Sequence, residues 1–238
     1  MSKTLSKRIC KQCGARGAGK FCGNCGQSLE VKRLTTANIF HEIFHFFTYL
    51  DKGFPYTLKK LALAPGNMQK DYVNGQRGKY QQPFSMYFVC GTLTALALYI
   101  IHRPTGNISH FEEVQGNFTR HYYVIVQSIL LPFYAFVTWV FFKSKNFNYA
   151  ESLVLLAYAL SFMFLLVVFT NLIDLIPHKR IAAAYYEIPV LFLYLLWTYF
   201  NFFKDELKWR ITIKTVLTIL ICYFASNLAG DMIVNRML

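Results

Sequence analysis

The sequence predicts an all-α polytopic membrane protein with a small module ahead of the membrane part, and three observations predict it. Hydrophobic residues fill 55% of the 238 positions and charged residues only 16%, too apolar a balance for an ordinary soluble domain of this length. Beyond about position 84 the apolar residues fall into runs close to the ~20 residues that cross ~30 Å of hydrocarbon. Before them stand two C-x-x-C pairs, Cys10-Lys-Gln-Cys13 and Cys22-Gly-Asn-Cys25.

The cysteine pairs define the first element, residues 1–30. A C-x-x-C pair lets two thiolates reach one tetrahedral Zn²⁺ from a single tight turn, and two such turns close a four-sulfur site. Gly14 and Gly26 follow the second cysteine of each pair, where the turn needs a residue that accepts positive φ. One structural Zn²⁺ held by Cys10, Cys13, Cys22 and Cys25 is therefore expected, with two disulfides or an iron site as the competing readings. Lys7, Arg8, Lys11 and Lys20 surround a site that would carry a charge of about −2. A filled Cys₄ shell has no open position, which favours a structural clip over catalysis.

Residues 31–83 form the second element, a basic juxtamembrane collar. Ala37 to Leu50 is apolar and aromatic but too short to cross, and is expected flat at the membrane face or against the bundle. Tyr56 to Ala64 reads as a short helix with Lys59 and Lys60 on its polar side, ended by Pro65-Gly66. Another, Met68 to Asn74, stops at Gly75. Arg77, Lys79 and Tyr80 then lead to Pro83, with the tyrosines expected at headgroup level.

Of 25 Lys and Arg, 14 lie in residues 1–85, against 4 of the 12 acids. Such a basic segment beside membrane spans fits anionic lipid at about 1 kcal/mol per residue near the surface. Lys59, Lys60, Lys70, Arg77 and Lys79 are the candidate lipid-binding residues. Nucleic acid is the weaker reading, because none of its recurring recognition signatures occurs.

The third element, residues 84–238, contains about five expected spans: 84–101, 122–142, 153–175, 188–203 and 211–228. The fourth is short and contains Pro189, so a re-entrant or bundle-internal helix is its alternative. The basic first 85 residues resist translocation, which places the N-terminus in the cytoplasm and, with five spans, the C-terminus outside. No secretory signal precedes the spans, since Met1 to Arg33 has no apolar run. Asn107-Ile-Ser109 and Asn117-Phe-Thr119 are sequons by pattern alone.

His41-Glu-Ile-Phe-His45 matches H-E-x-x-H, in which two histidines bind Zn²⁺ and the glutamate activates water. Proteases of this kind that place a third ligand six residues on have a glycine three residues after the second histidine, where this chain has Thr48. An unbroken helix would also carry Asp51 about 240° around from His45. The competing reading is an interfacial helix whose His41, Glu42 and His45 sit among phenylalanines.

Other ionisable residues lie at span ends rather than at the bilayer centre. Glu151 begins the third span, where an acid suits the helix N-terminus. Asn171, Asp174, His178, Glu187, Asn227 and Asp231 fall on one expected outer side, as a cation or headgroup cluster or as an ordinary wet interface. Cys90 and Cys222 are expected to be packing residues. No nucleophile triad, P-loop or dinucleotide fingerprint is present.

The run from the cysteine module through His41-Glu-Ile-x-His45, Asp51-Lys-Gly-Phe54, Thr57, Pro65-Gly66, Tyr72, Gly75-x-Arg77, Tyr80 and Pro83, then Asn148-Tyr-Ala-Glu151, resembles a family of bacterial membrane proteins. That family is defined by a domain of unknown function with an N-terminal Cys₄ zinc ribbon. The resemblance implies that the histidine motif and the collar belong to one pattern, which lowers the protease reading, and it implies no activity. In topology alone the chain is also similar to the Yip family of five-span trafficking proteins.

The expected whole is a zinc ribbon and amphipathic interfacial helices on a helical membrane domain in a bacterial inner membrane. The function it suggests is a non-enzymatic scaffold or adaptor whose ribbon recruits a cytosolic protein. A transporter or lipid-handling protein, and an intramembrane metalloprotease using His41, Glu42 and His45, are the alternatives.

Overall fold

The computed structural model of the chain describes residues 8–17, 19–30, 33, 35–36, 53–101, 123–143, 147–173, 184–204 and 206–237, with backbone alone at 173, 184–187, 230–231 and 233–237. Two short antiparallel strands, β1 (Arg8–Ile9) and β2 (Arg16–Gly17), pair Arg8 with Gly17 and Ile9 with Arg16. Helices follow: α1 (Phe54–Leu63), α2 (Pro65–Val73), α3 (Pro83–Ile101), α4 (Tyr123–Phe141), α5 (Tyr149–Ile173), α6 (Ala184–Phe202) and α7 (Lys208–Met237).

Proline starts the first three helices. Pro55, Pro65 and Pro83 each occupy a first-turn position, where the missing N–H costs no intrahelical bond and φ is already helical. Between α1 and α2, Ala64 leaves the helical region at φ −151° and ψ 61°. The Pro65-Gly66 pair that marks a stop in the sequence is thus also the first turn of the next helix.

The core is organised around α5. Every residue from Ala150 to Ser161 is buried, and α1, α2, α3, α4 and α6 all pack on this helix. A helix apolar all round needs such a position, since no face is left for water. Small residues set the distances between helices, as they do where lipid supplies no force to drive apolar helices together. A Cβ on Gly91 of α3 would lie 2.9 Å from Val124 of α4 and 3.4 Å from the Phe164 ring of α5. One on Gly66 of α2 would collide with the Thr198 carbonyl of α6 and lie 2.5 Å from the Phe202 nitrogen.

Among the described residues, four helices are long and apolar enough to cross a membrane: Pro83–Ile101, Tyr123–Phe141, Tyr149–Leu172 and Lys208–Ala229. The expected fourth span corresponds to α6, whose described side chains from Ile188 to Phe202 form an apolar stretch. Gly66 lets α2 approach α6 closely, which gives α6 a protein neighbour on that side. Aromatic packing ties the α4–α5 and α6–α7 connections together at this end: Phe142 stacks on Phe203 at 4.4 Å, and Phe147 meets Phe202 edge-on at 5.7 Å.

The collar is woven into this body. Gly53 lies against the backbone of residues 79–81, and Thr57 Oγ1 accepts the Gln81 N–H at 2.8 Å. Gln81 Nε2 donates to Ser85 Oγ at 2.9 Å, and the Tyr158 hydroxyl donates to the Gln81 carbonyl. Tyr72 meets Tyr158 edge-on at 5.4 Å. Leu61, Met68, Gln69 and Tyr72 are fully buried, while Lys59 and Leu63 are exposed. Tyr80 departs from the wet headgroup position expected of it: it is buried, and its hydroxyl donates to Asp71 at 3.2 Å.

Candidate metal centre and its seat on the membrane body

Two equivalent turns build the cysteine site. In each, the first cysteine's N–H donates across the turn, Cys10 to the Ala15 carbonyl and Cys22 to the Gln27 carbonyl, both at 2.8 Å. In each, the glycine N–H returns to the first cysteine's carbonyl, Gly14 to Cys10 and Gly26 to Cys22, both at 2.9 Å. Both glycines have positive φ, 75° and 72°, the conformation the spacing calls for. The buried members are the first cysteines, Cys10 and Cys22, packed with Leu29 and Ala15, and the second ones, Cys13 and Cys25, are exposed.

The four sulfurs lie within 4.8 Å of one another, with Cys10–Cys25 and Cys13–Cys22 separations of 3.6 Å. A tetrahedron with metal–sulfur arms of about 2.3 Å has edges of about 3.8 Å, so the residues fit a four-thiolate ion. The electrostatics fit as well. The Cys13 and Gln12 backbone N–H groups hold the Cys10 thiol below its ordinary value, and the Ala15 N–H and the Cys25 side chain do the same for Cys13. For Cys25 the Gln27 N–H acts in the same direction, but desolvation and the neighbouring thiols outweigh it and push the group up to about 12. A bound cation removes that conflict by stabilising all four thiolates together.

The ribbon rests on the turn that ends α2, the segment Asn74–Gly78. Gln27, next to Gly26, accepts the Gly78 N–H on Oε1 at 2.8 Å and donates from Nε2 to the Gly75 carbonyl at 3.4 Å. Lys11, inside the first C-x-x-C turn, donates to the Asn74 carbonyl at 3.2 Å. These carbonyls end a helix, where a cation and a donor are both favoured. Gly75 makes the turn with φ 103°.

A second tie follows at Arg33. Its Nε donates to Glu151 Oε1 at 2.9 Å and one terminal nitrogen to Oε2 at 3.4 Å; the Glu151 side chain is 5% exposed. The carboxylate also caps α5, as the sequence suggests. Glu151 Oε2 accepts the Asn148 N–H at 2.9 Å while Asn148 Oδ1 accepts the Glu151 N–H at 2.8 Å, a reciprocal capping box. The pair raises the Arg33 guanidinium above its already high value, through the hydrogen bond first and the charge second.

The lipid candidates are spread over the collar rather than gathered at one point. Lys60 lies 5.8 Å from the Tyr56 ring and Lys79 4.9 Å from the Tyr80 ring, the two rings stacking at 5.7 Å. Arg77 packs over Tyr72 and donates to its carbonyl. Lys59 is exposed and Lys70 half-buried. His41, Glu42 and His45 lie outside the described residues, as do Asp51, both sequons, Asp174 and His178, and the side chains of Glu187 and Asp231. Asn171 donates to the Val167 carbonyl and Asn227 to the Tyr223 carbonyl, each on its own helix. Cys90 is buried and Cys222 half-buried, both free and both packed in the core.

Gln27 and Arg33 are contact positions that the sequence reading does not reach. A lone glutamine after a cysteine turn carries no local signal, and Arg33 is 118 residues from its partner.

Residues 51–95 match a family described as a protein of unknown function (DUF3667). The match covers residues 51–83 of the collar and most of α3, so the likeness is to a domain family with no assigned activity. No curated protein and no solved structure matches the chain.

Proposed function

We propose that this integral membrane protein is a non-enzymatic scaffold whose ribbon, holding one structural Zn²⁺, offers a cytosolic protein a fixed platform on the membrane. The observation that carries the reading is the closed four-sulfur cluster, 4.8 Å across, seated by side chains on the α2 end and the α5 N-terminus. Four thiolate ligands leave a metal no position for substrate, and a borderline-soft d¹⁰ ion suits four sulfurs without redox chemistry. Ile9 and Phe21 stand at matching positions before the first cysteine of each turn and are 64% and 66% exposed, which suits a surface that another protein covers. Exposed Lys11, Arg16 and Lys20 surround them and favour an acidic partner.

In this reading the ribbon and collar face the cytoplasm of a bacterial cell, with anionic lipid of the inner membrane meeting Lys59, Lys60, Lys70, Arg77 and Lys79. The test is recovery of partners from gently solubilised membranes with the full chain, with Ile9→Asp/Phe21→Asp, and with residues 1–30 removed. A partner retained by the full chain and lost from both variants supports the platform. An equal set of partners in all three sinks it.

A further inference from the structure

Among the described residues, the ribbon touches the membrane body through side chains whose positions depend on the cysteine turns. Gln27 is fixed by the second turn, since its own carbonyl accepts the Cys22 N–H and Gly26 precedes it. Lys11 stands inside the first turn, between two of the ligands. Three residues before Arg33, Glu30 pairs with Arg8 of β1 at 2.9 Å, which ties the end of the module back to its first strand. Little else holds these parts in place: the buried apolar set of the module is Cys10, Cys22 and Leu29, two of them ligands. In so small a module, metal binding and folding are one event.

At the other end of the contact, Glu151 is a carboxylate almost wholly buried at the head of the central helix. With Arg33 in place its charge is compensated. Without Arg33, the partner described for it is the Asn148 cap, and an uncompensated buried carboxylate favours drawing the helix start towards water.

We propose that the ribbon is a metal-controlled clasp: with the ion bound, Gln27 and Arg33 grip the α2 end and the α5 N-terminus, and loss of the ion, by chelation or thiol oxidation, releases both. The state of four cysteines outside the bundle is thereby transmitted to the buried head of its central helix. Oxidation would join Cys10–Cys13 and Cys22–Cys25, or cross-pairs, with release of Zn²⁺: each new disulfide takes two thiolates and passes two electrons to a disulfide, which leaves as two thiolates, or to hydrogen peroxide, which takes up two protons and leaves as two waters. Either route removes the arrangement that aims Gln27 and Lys11.

The clasp rests on the zinc reading above, and the experiment separates the two. Full-length protein in detergent micelles is assayed for metal, then followed by residue-resolved hydrogen exchange before and after chelation. The probes are the Gly78 amide, held by Gln27 Oε1, and the Arg33 Nε–H, held by Glu151. Chelation is expected to speed exchange at both by at least about tenfold, with the Tyr158–Gln81 region of the body unchanged. Gln27→Ala, with its metal retained, should speed the Gly78 amide alone. Protection at both sites that survives verified loss of the metal overturns the clasp and leaves the zinc site standing. A chain that binds no metal at all overturns both.

Discussion

The ribbon and the bundle are folded by different means. In the ribbon the apolar core is two cysteines and a leucine, so geometry comes from four sulfurs and two positive-φ glycines. In the bundle it comes from the continuous burial of Ala150 to Ser161 and from glycines that let helices touch. In the proposed reading the first depends on ion, pH and redox state; the second depends on shape. Each should therefore fail under a perturbation that the other survives.

The largest expected effect is Cys10→Ser or Cys22→Ser, which should drop bound metal from one equivalent to none and unfold the ribbon. Structural zinc contributes about 10–16 kcal/mol in small modules. Thermal unfolding of the body should move little. A joint collapse of both transitions would show that the regions are one folding unit.

Acid should reach the same end point more gradually. The Cys10 and Cys13 thiols lie below their ordinary value, so their contribution is complete above that value and is lost as the pH falls through the lowered ones. Metal release, followed with a chromogenic chelator, is expected on acidification and not on alkalinisation. Release only on raising the pH would contradict the thiolate shell.

Within the bundle, Gly66→Val should separate α2 from α6 by driving a Cβ into the Thr198 carbonyl, at a cost above about 3 kcal/mol, since backbone cannot give way as a side chain can. Its metal content should remain at one equivalent. Tyr158→Phe is milder. It removes the donor to the Gln81 carbonyl and is expected to cost about 1–2 kcal/mol, read as a lowered unfolding midpoint in a fixed detergent. Glu42→Gln should change neither metal content nor stability. A second metal equivalent, lost in His41→Ala and joined to an activity abolished by Glu42→Gln, would bring the protease reading back.

The contrast also explains what the sequence discloses. The ribbon was legible because its determinants are local: two ligands per turn and a glycine at the required φ. So was the cap on α5, where Asn148 and Glu151 stand three residues apart. Apolar length located the long helices α3 to α7, each overlapping one expected span. Illegible were the contacts made across the chain. Nothing near Tyr80 announces that Asp71 takes its hydroxyl, and nothing in Pro65-Gly66 announces α6 as a neighbour. Charge pattern placed lysines on a polar side, but could not foresee that Lys60 and Lys79 would flank a stacked tyrosine pair.

The separation of Arg33 from Glu151 by 118 residues has a consequence for biogenesis. All four cysteines leave the ribosome before Arg33, so the module holds everything it needs to take up metal while the rest is still being translated. At about 5–20 residues per second, Glu151 follows Arg33 by about 6–24 s. The Gln27 contacts become available earlier, some 50 residues after Gln27, once the α2 end has emerged. Completion of the clasp thus waits for the start of α5, and a nascent chain stalled before that helix carries a loaded ribbon with nothing to close upon.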